Sequence, residues 1–393
     1  MNPKRFTLFH LVVATLLGSV LTFVALTAAL HMATGPQFIP ILQGMSLIRS
    51  RFVGDYDPDE VANAALNGMV SGLGDRWSHY LSPEEAEYQA QRRENSFCGI
   101  GIQADLRSTD GIRVLKVYDD SPAQRGGLAV GELITAVDGQ LFTGSNHQTL
   151  VDAISGEEGT DVMLTVRAAD GTDRELSLVR GQVKIDPVRF ELLDSGVGYI
   201  ALANFYSSSS EKLNAAVDEL VADGATALVF DMRSNGGGYV PELTRMLDHL
   251  LPEGPIFRSV NVDGEEVVTP SDAAHVDLPM AVLVNKDTYS AAEFFAAQLQ
   301  EAAGAYIVGE PTSGKGYSQQ PLPLSNGGVM QISTGRYLTG KGVSLIGTGL
   351  TLDREVYLPD PLPEDPADFV DTQLNAALAL LGYPPAQATD SAN

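Results

Sequence analysis

The stretch M-A-V-L-V-N-K-D-T-Y-S-A-A-E-F-F-A-A-Q-L-Q-E-A-A-G-A-Y-I-V-G, residues 280–309, decides how the C-terminal half of this chain folds. Ala281–Val284 reads as a short buried strand, a polar loop follows, a helix opens at Ser290, and Ala305–Gly309 reads as a second strand. The same alternation recurs upstream. V-R-F-E-L-L and V-G-Y-I-A-L-A-N-F are two strands joined at Asp194-Ser195-Gly196. A helix follows, with Leu213, Val217, Leu220 and Val221 on one face and Gly224 at its end. Then come the strand Ala227–Asp231 and a helix near Pro241 to Leu251. Strands alternating with helices predict a βαβ core in a multidomain α/β (α+β) chain.

Before that core, residues 97–181 have a different texture. Short apolar runs are punctuated by Asp-Gly pairs at Asp110, Asp138 and Asp170, which predicts a small β-rich module with one helix near Thr149 to Ile154. Residues 36–96 read as helical. Val61, Ala65, Leu66, Met69 and Val70 form one stripe, Pro58 suits a first turn, and Ser82-Pro83-Glu84-Glu85 opens a further helix with a capping box. The organisation expected is therefore 1–35, an anchor or signal segment; 36–96, helical; 97–181, the inserted β-rich module; 182–362, the core; and 363–393, a helix and a loose tail.

Lys4 and Arg5 precede an uncharged run, Leu11 to Leu30, of 20 residues. That is long enough for one helical span, with its basic end in the cytoplasm and the remainder outside. The length of the run, and the lack of a clean A-x-A site before Gly35, favour an uncleaved single-pass anchor in the cell membrane over a cleavable signal peptide.

Lys and Arg number 25 against 50 Asp and Glu, a net charge of −25. Such a surface repels phosphate backbones and excludes nucleic acid as an expected partner. The single cysteine, Cys98, rules out an intrachain disulfide and reads as a small core residue. Six histidines make no H-E-x-x-H and no close pair, so no metal site is expected.

Three segments carry groups that could do chemistry. Ser290 stands at a helix start, where free N–H groups and the dipole favour a developing anion; Ser290-x-x-Glu293 is equally a capping box. Lys315 lies in G-E-P-T-S-G-K-G-Y-S-Q-Q, just after a strand. Desolvated, it could serve as a base; solvated, it is a surface charge. In D-M-R-S-N-G-G-G-Y, Gly236-Gly237-Gly238 could offer N–H groups to an oxyanion or be a plain strand-to-helix turn. Gly309-x-x-x-x-Gly314-Lys315 is nearly a phosphate loop, but Gly316 stands where Mg²⁺ needs Ser or Thr, and two prolines follow instead of a helix.

Together these segments resemble the C-terminal processing, or tail-specific, serine peptidases. The family pattern D-x-R-x-N-x-G-G, V-L-V-N-x-x-S-A-S-A-S-E, G-x-x-T-x-G-K-G-x-x-Q is met by D-M-R-S-N-G-G-G, V-L-V-N-K-D-T-Y-S-A-A-E and G-E-P-T-S-G-K-G-Y-S-Q, with Ser290 and Lys315 separated by 315 − 290 = 25 residues. The likeness runs from about Ile41 to Pro361. N-G-M-V-S-G-L-G-D-R-W-S-H-Y resembles the family's helical N-terminal region, and S-P-A-Q-R-G-G-L-A-V-G-E-L-I-T-A-V-D-G resembles its PDZ domain.

The resemblance implies a serine endopeptidase acting on exported proteins. Ser290 would be nucleophile, Lys315 general base and Gln319 the residue orienting the dyad. The N–H groups of Gly237 and Ala291 would form the oxyanion hole. Gly99, Ile100, Gly101 and Ile102 of the PDZ module would receive the C-terminus of a protein or peptide substrate. No cofactor is implied. Three positions depart from the pattern: Leu352 and Gly236 replace prolines, and Ser155 replaces an arginine that couples peptide binding to activation in some relatives, a role Arg125 could take. Relatives often form homodimers through terminal segments. The stretch 369–381, with Val370, Leu374, Ala377 and Leu378 on one side, suits that or simple packing. The competing class is a catalytically silent PDZ scaffold.

Overall fold

The computed structural model describes residues 8–105, 110–168, 170–359 and 369–386. Lys4, Arg5 and the tail beyond residue 386 lie outside the described residues.

The chain divides into a unit ending at Ala65 and a larger one from Leu66 onward. The first holds helix Leu8–Thr34, whose segment His10–Ala29 is long and apolar enough to cross a membrane and is not buried in the protein. Helix Phe38–Arg51 follows. Helix Pro58–Ser71 buries only Val70, with Val61 and Leu66 half-buried and Ala65 and Met69 exposed, so the expected stripe is covered only in part.

The larger unit is built around a six-stranded sheet. Its order is Val188–Leu192, Val197–Leu202, Ala227–Asp231, Met280–Val284, Tyr306–Gly309 and Arg354–Glu355. The first pair is antiparallel and all others are parallel. The two central strands are buried at every residue, as strands covered on both faces must be. Side chains alternate between the faces. Leu228 and Phe230 join a cluster with helices Ser209–Ala222, Val240–Leu250 and Ala291–Ala303. Ala227 and Val229 face the other way, onto Leu374, Ala377 and Leu378 of helix Thr372–Leu381. The stripe considered for a homodimer is thus taken up by the chain's own sheet, with Val370 left exposed. Leu213, Val217 and Leu220 are buried, whereas Val221 is 42% exposed. At 100° per residue it lies about 80° round the helix from Leu213, off the apolar stripe.

A second sheet orders His79–Leu81, Val329–Leu338, Gly254–Asn261 and Glu266–Ser271, with Tyr317–Pro323 also paired to Val329–Leu338. It sets the turn before His79 beside the strand that follows Lys315. Helix Pro83–Arg93 begins with the expected capping box, Ser82 with Glu85.

The β-rich module is a sheet in the order Ile102–Asp105, Ile112–Val117, Leu133–Val137, Asp161–Arg167, Asp173–Val179. Asp138 and Gly139, at φ +47° and +79°, turn the chain between Val137 and Gln140, the backbone that a two-residue hairpin with right-handed twist requires. Helix His147–Ile154 covers the sheet's core residues. The module joins the core through a ribbon, Ser96–Gly99 antiparallel to Gly181–Lys184. Cys98 sits in that ribbon half-buried rather than in the core, and burial raises its thiol pKa.

Candidate active site

Ser290 stands at the carboxyl end of the parallel strands, one residue before helix Ala291–Ala303. Its φ of +62° and ψ of −126° are rarely adopted by residues bearing a side chain and cost about 1–3 kcal/mol. The loop before it is tied down to hold this. Thr288 Oγ1, fully buried, donates to Met232 O at 2.8 Å, and Tyr289 N–H donates to Asn235 O at 3.1 Å.

Glu293 joins this helix start to the lysine loop. It is 0% exposed. One carboxylate oxygen accepts from Ser290 N–H at 3.0 Å and Lys315 N–H at 2.9 Å. The other accepts from Gly314 N–H at 2.7 Å and Thr312 Oγ1 at 2.6 Å. The residue read from the sequence as part of a cap therefore serves two segments 25 residues apart. Gly314, at φ +69°, lets the loop turn where a side chain would meet Leu345 O at 2.7 Å.

The Lys315 amine makes no hydrogen bond or ion pair among the described residues, and so none to Ser290 Oγ. It rests 4.7 Å from the Trp77 ring centroid and 5.5 Å from that of Tyr289. Burial pushes its pKa down to about 8; Arg93 and Arg76 push the same way, while Asp75 and Glu293 oppose. Gln319 does not contact the amine by a hydrogen bond either. Its Nε2 donates to Tyr317 O and Ser333 Oγ, each at 3.3 Å. Ser290, Lys315 and Gln319 do share one cavity of about 280 Å³, lined also by Arg93, His79 and Tyr239 and, among the described residues, by no acidic one.

In the glycine turn, the Gly237 N–H donates to Asn235 Oδ1 at 2.8 Å. Gly237 nevertheless lies against the helix start: a Cβ there would come 2.7 Å from Ala291 N and 3.0 Å from Ser290 Cβ. The departure at Gly236 has a local cause. A Cβ there would sit 2.5 Å from the Tyr289 hydroxyl, and Tyr289 occupies a position that the quoted family pattern gives to alanine. Asp231 and Arg233 serve the framework. Arg233 pairs with Asp231 and, at 2.8 Å, with Asp371, the cap of helix Thr372–Leu381, while Tyr199 OH donates to Asp231 at 2.6 Å.

Residues of this neighbourhood that the sequence reading passed over are Trp77, Tyr289 and Asp75. For Trp77 and Asp75 the signal available was the motif G-D-R-W-S-H-Y, read only as part of a helical region; Tyr289 stood beside Ser290 in the quoted motif.

In the β-rich module, Gly99 ends the ribbon and Ile102 begins an edge strand. Between them the N–H groups of Ile100 and Gly101 have no partner among the described residues, while their carbonyls accept from Ala123 and Tyr118. Gly101, at φ +83°, fits where a Cβ would meet Ser121 Cβ at 2.2 Å. Arg125 is exposed and bonded to Asp120 O. The guanidinium beside Ser155-Gly156 comes instead from Arg180, which donates to the carbonyls of Ala153 and Ile154.

Comparison with known proteins gives a consistent picture. Residues 196–356 match the model of peptidase family S41, and residues 113–168 match a PDZ domain. The chain is 30% identical over 349 residues to the carboxy-terminal processing protease CtpA of Bacillus subtilis, covering 86% of this chain and 75% of that protein. It is 30% identical over 327 residues to the carboxy-terminal-processing protease of Bartonella bacilliformis, covering 81% and 74%. Among solved structures, an S41 protease from Bacteroides fragilis superposes with a TM-score of 0.58 at 18% identity, covering 86% of this chain and 96% of that one. This last likeness bears on fold alone.

Proposed function

Since the chain belongs to peptidase family S41 and is a serine protease of the carboxy-terminal processing type with a PDZ domain, we propose that Ser290 is its nucleophile, Lys315 its general base and Gln319 the residue that orients the lysine. The carrying observation is the common cavity: a hydroxyl at a helix N-terminus and a desolvated amine, making no ion pair among the described residues, open onto the same space.

The steps follow from the chemistry of the groups. Neutral Lys315 accepts the Ser290 proton as Oγ attacks the scissile carbonyl. The Ala291 N–H, in the first turn of its helix, and the Gly237 N–H stabilise the oxyanion. The second must leave Asn235 Oδ1 as negative charge develops, and losing such a donor typically costs on the order of 10²–10³ in rate. The resulting Lys315 ammonium then protonates the leaving nitrogen, which returns the lysine to its neutral form, and water repeats the cycle on the acyl-enzyme.

The PDZ domain holds the substrate's C-terminal carboxylate at the Ile100 and Gly101 N–H groups, with Gly99 and Ile102 at the ends of that loop. The tail adds to the edge strand Ile102–Asp105. Helix Leu8–Thr34 anchors the enzyme in the cell membrane by a single pass, with the catalytic part outside the cytoplasm, where exported proteins are its substrates. A homodimer would use a surface other than the buried stripe of helix Thr372–Leu381.

The test is cleavage of a peptide-tailed protein by the purified full-length enzyme. Ser290→Ala and Lys315→Ala are each expected to lower kcat by at least about 10³-fold with the circular dichroism spectrum unchanged. Wild-type rates in both would refute the dyad.

A further inference from the structure

The Lys315 amine faces two rings rather than two polar partners. The Trp77 and Tyr289 centroids lie 5.8 Å apart with planes tilted by 35°, and Lys315 Nζ is within 6 Å of both. The turn that carries Trp77 is held in place. Asp75 accepts from Trp77 N–H at 3.1 Å, from Ser78 Oγ, and from Ser333 Oγ at 2.6 Å, and Ser78 Oγ accepts from Ser333 N–H at 3.0 Å. The turn Asp75–Ser78 is thereby pinned to strand Val329–Leu338. Gln319 Nε2 donates to that same Ser333 hydroxyl, so the turn that carries the ring and the glutamine share one serine.

We propose that Trp77 is a positioning residue of the catalytic site: its ring, together with that of Tyr289, seats the Lys315 ammonium away from Ser290 and releases the amine to Oγ once it is neutral. The inference rests on the reading of Lys315 as general base. The face of an indole attracts a cation through its quadrupole and has no comparable hold on a neutral amine. The seat therefore distinguishes the two protonation states. As ammonium, the lysine is held and has no lone pair to offer. As amine, it loses the seat and gains the lone pair that accepts the serine proton. Proton loss and approach to the nucleophile become one event.

The charged groups facing the amine are Asp75 and Glu293, which favour the ammonium, and Arg93 and Arg76, which oppose it; Arg76 also lies 4.1 Å over the Trp77 ring. All four remain when the indole is replaced, although Arg76 also loses the ring it lies over. Leucine keeps apolar cover over the amine, so the main loss is the ring's attraction for the ammonium, which lowers the lysine pKa and moves the acid limb of the rate profile to lower pH.

Trp77 is the chain's only tryptophan, which gives a readout independent of catalysis. In full-length Ser290→Ala, indole emission titrated between about pH 6 and pH 10 is expected to pass through a transition near pH 8, because the neighbouring cation is lost there. The transition is expected to vanish in Ser290→Ala/Lys315→Met. In the active enzyme, Trp77→Leu is expected to lower the acid-limb midpoint of kcat/KM by about one pH unit. Trp77→Phe, which keeps a ring and a similar fold, shifts it the same way by less. Emission that ignores pH over this range, or titrates identically without Lys315, overturns the seat, as does an unmoved midpoint in both Trp77 variants. Full activity in Lys315→Ala would instead remove the base assignment. The Ser290→Ala titration needs no turnover and keeps the two failures apart.

Discussion

Replacing Glu293 by glutamine keeps the side chain's size and removes its charge, and the structure allows the cost to be worked out. The carboxylate accepts from three N–H groups, those of Ser290, Gly314 and Lys315, and from the Thr312 hydroxyl. The best placement of the amide puts its oxygen toward Ser290 and Lys315 and its NH₂ toward Thr312, whose hydroxyl can turn to accept. Gly314 N–H then faces a donor. One buried donor left unpaired costs about 1–3 kcal/mol, and weakening two charged hydrogen bonds to neutral ones adds about 1 kcal/mol each. A total of about 3–5 kcal/mol corresponds to a fall in melting temperature on the order of 10 °C for a unit of this size. The two segments it joins carry Ser290 and Lys315, so kcat should fall even at temperatures where the variant is folded. The assay is thermal unfolding followed by Trp77 emission, with peptide cleavage at 25 °C. A variant that melts with the wild type and retains its kcat would refute the account of Glu293 as the clip between the two segments.

The lysine gives a stability prediction with a definite sign. Its pKa is about 8 in the folded chain against 10.5 unfolded, so the penalty for burying the ammonium is fully present below pH 8 and relieved as pH rises from 8 to 10.5, where the unfolded state binds more protons. Lys315→Met should therefore stabilise the inactive enzyme at pH 7 by roughly 3 kcal/mol, with the gain fading above pH 10, measured by melting scans across pH; a melting temperature below wild type at pH 7 would contradict this. Cleavage by the wild type should rise about tenfold per pH unit below the midpoint near 8, and a flat profile from pH 6 to 9 would exclude the lysine as base. Gly236→Ala should destabilise by about 1–3 kcal/mol because of the Tyr289 hydroxyl, and Tyr289→Ala in the same chain should recover most of that loss; additive effects in the double variant would sink the steric explanation.

The core was legible because its strands and helices carry clean signals. Ala227–Asp231 and Met280–Val284 are apolar at almost every position, Gly224 and Gly304 close their helices, and the Asp-Gly pair at 138 announces its hairpin. What could not be read was which partner each face would meet. Val61 to Val70 and Leu374 to Leu378 show similar helical stripes, yet only the second is packed on a sheet; a stripe states that a face is apolar and says nothing of what covers it. The site divides in the same way. Ser290, Lys315 and Gln319 were found by spacing along the chain. Trp77 and Asp75 were not, because they arrive from a segment more than 200 residues earlier, brought in by the pairing of His79–Leu81 with Val329–Leu338. That pairing has no signature in the local sequence. Glu293 was seen in its local role only, since its bonds to Thr312, Gly314 and Lys315 depend on the close approach of two loops.

The ribbon that carries the PDZ domain has a consequence for how this enzyme can change over time. Asn95 O accepts from Ile185 N–H at 2.8 Å, so the chain departs from the catalytic body and returns to it at a single point. Everything between those two residues could be lengthened, shortened or exchanged for another binding cassette while the catalytic strands kept their register, leaving the reader of tails free to diverge faster than the blade that cuts them.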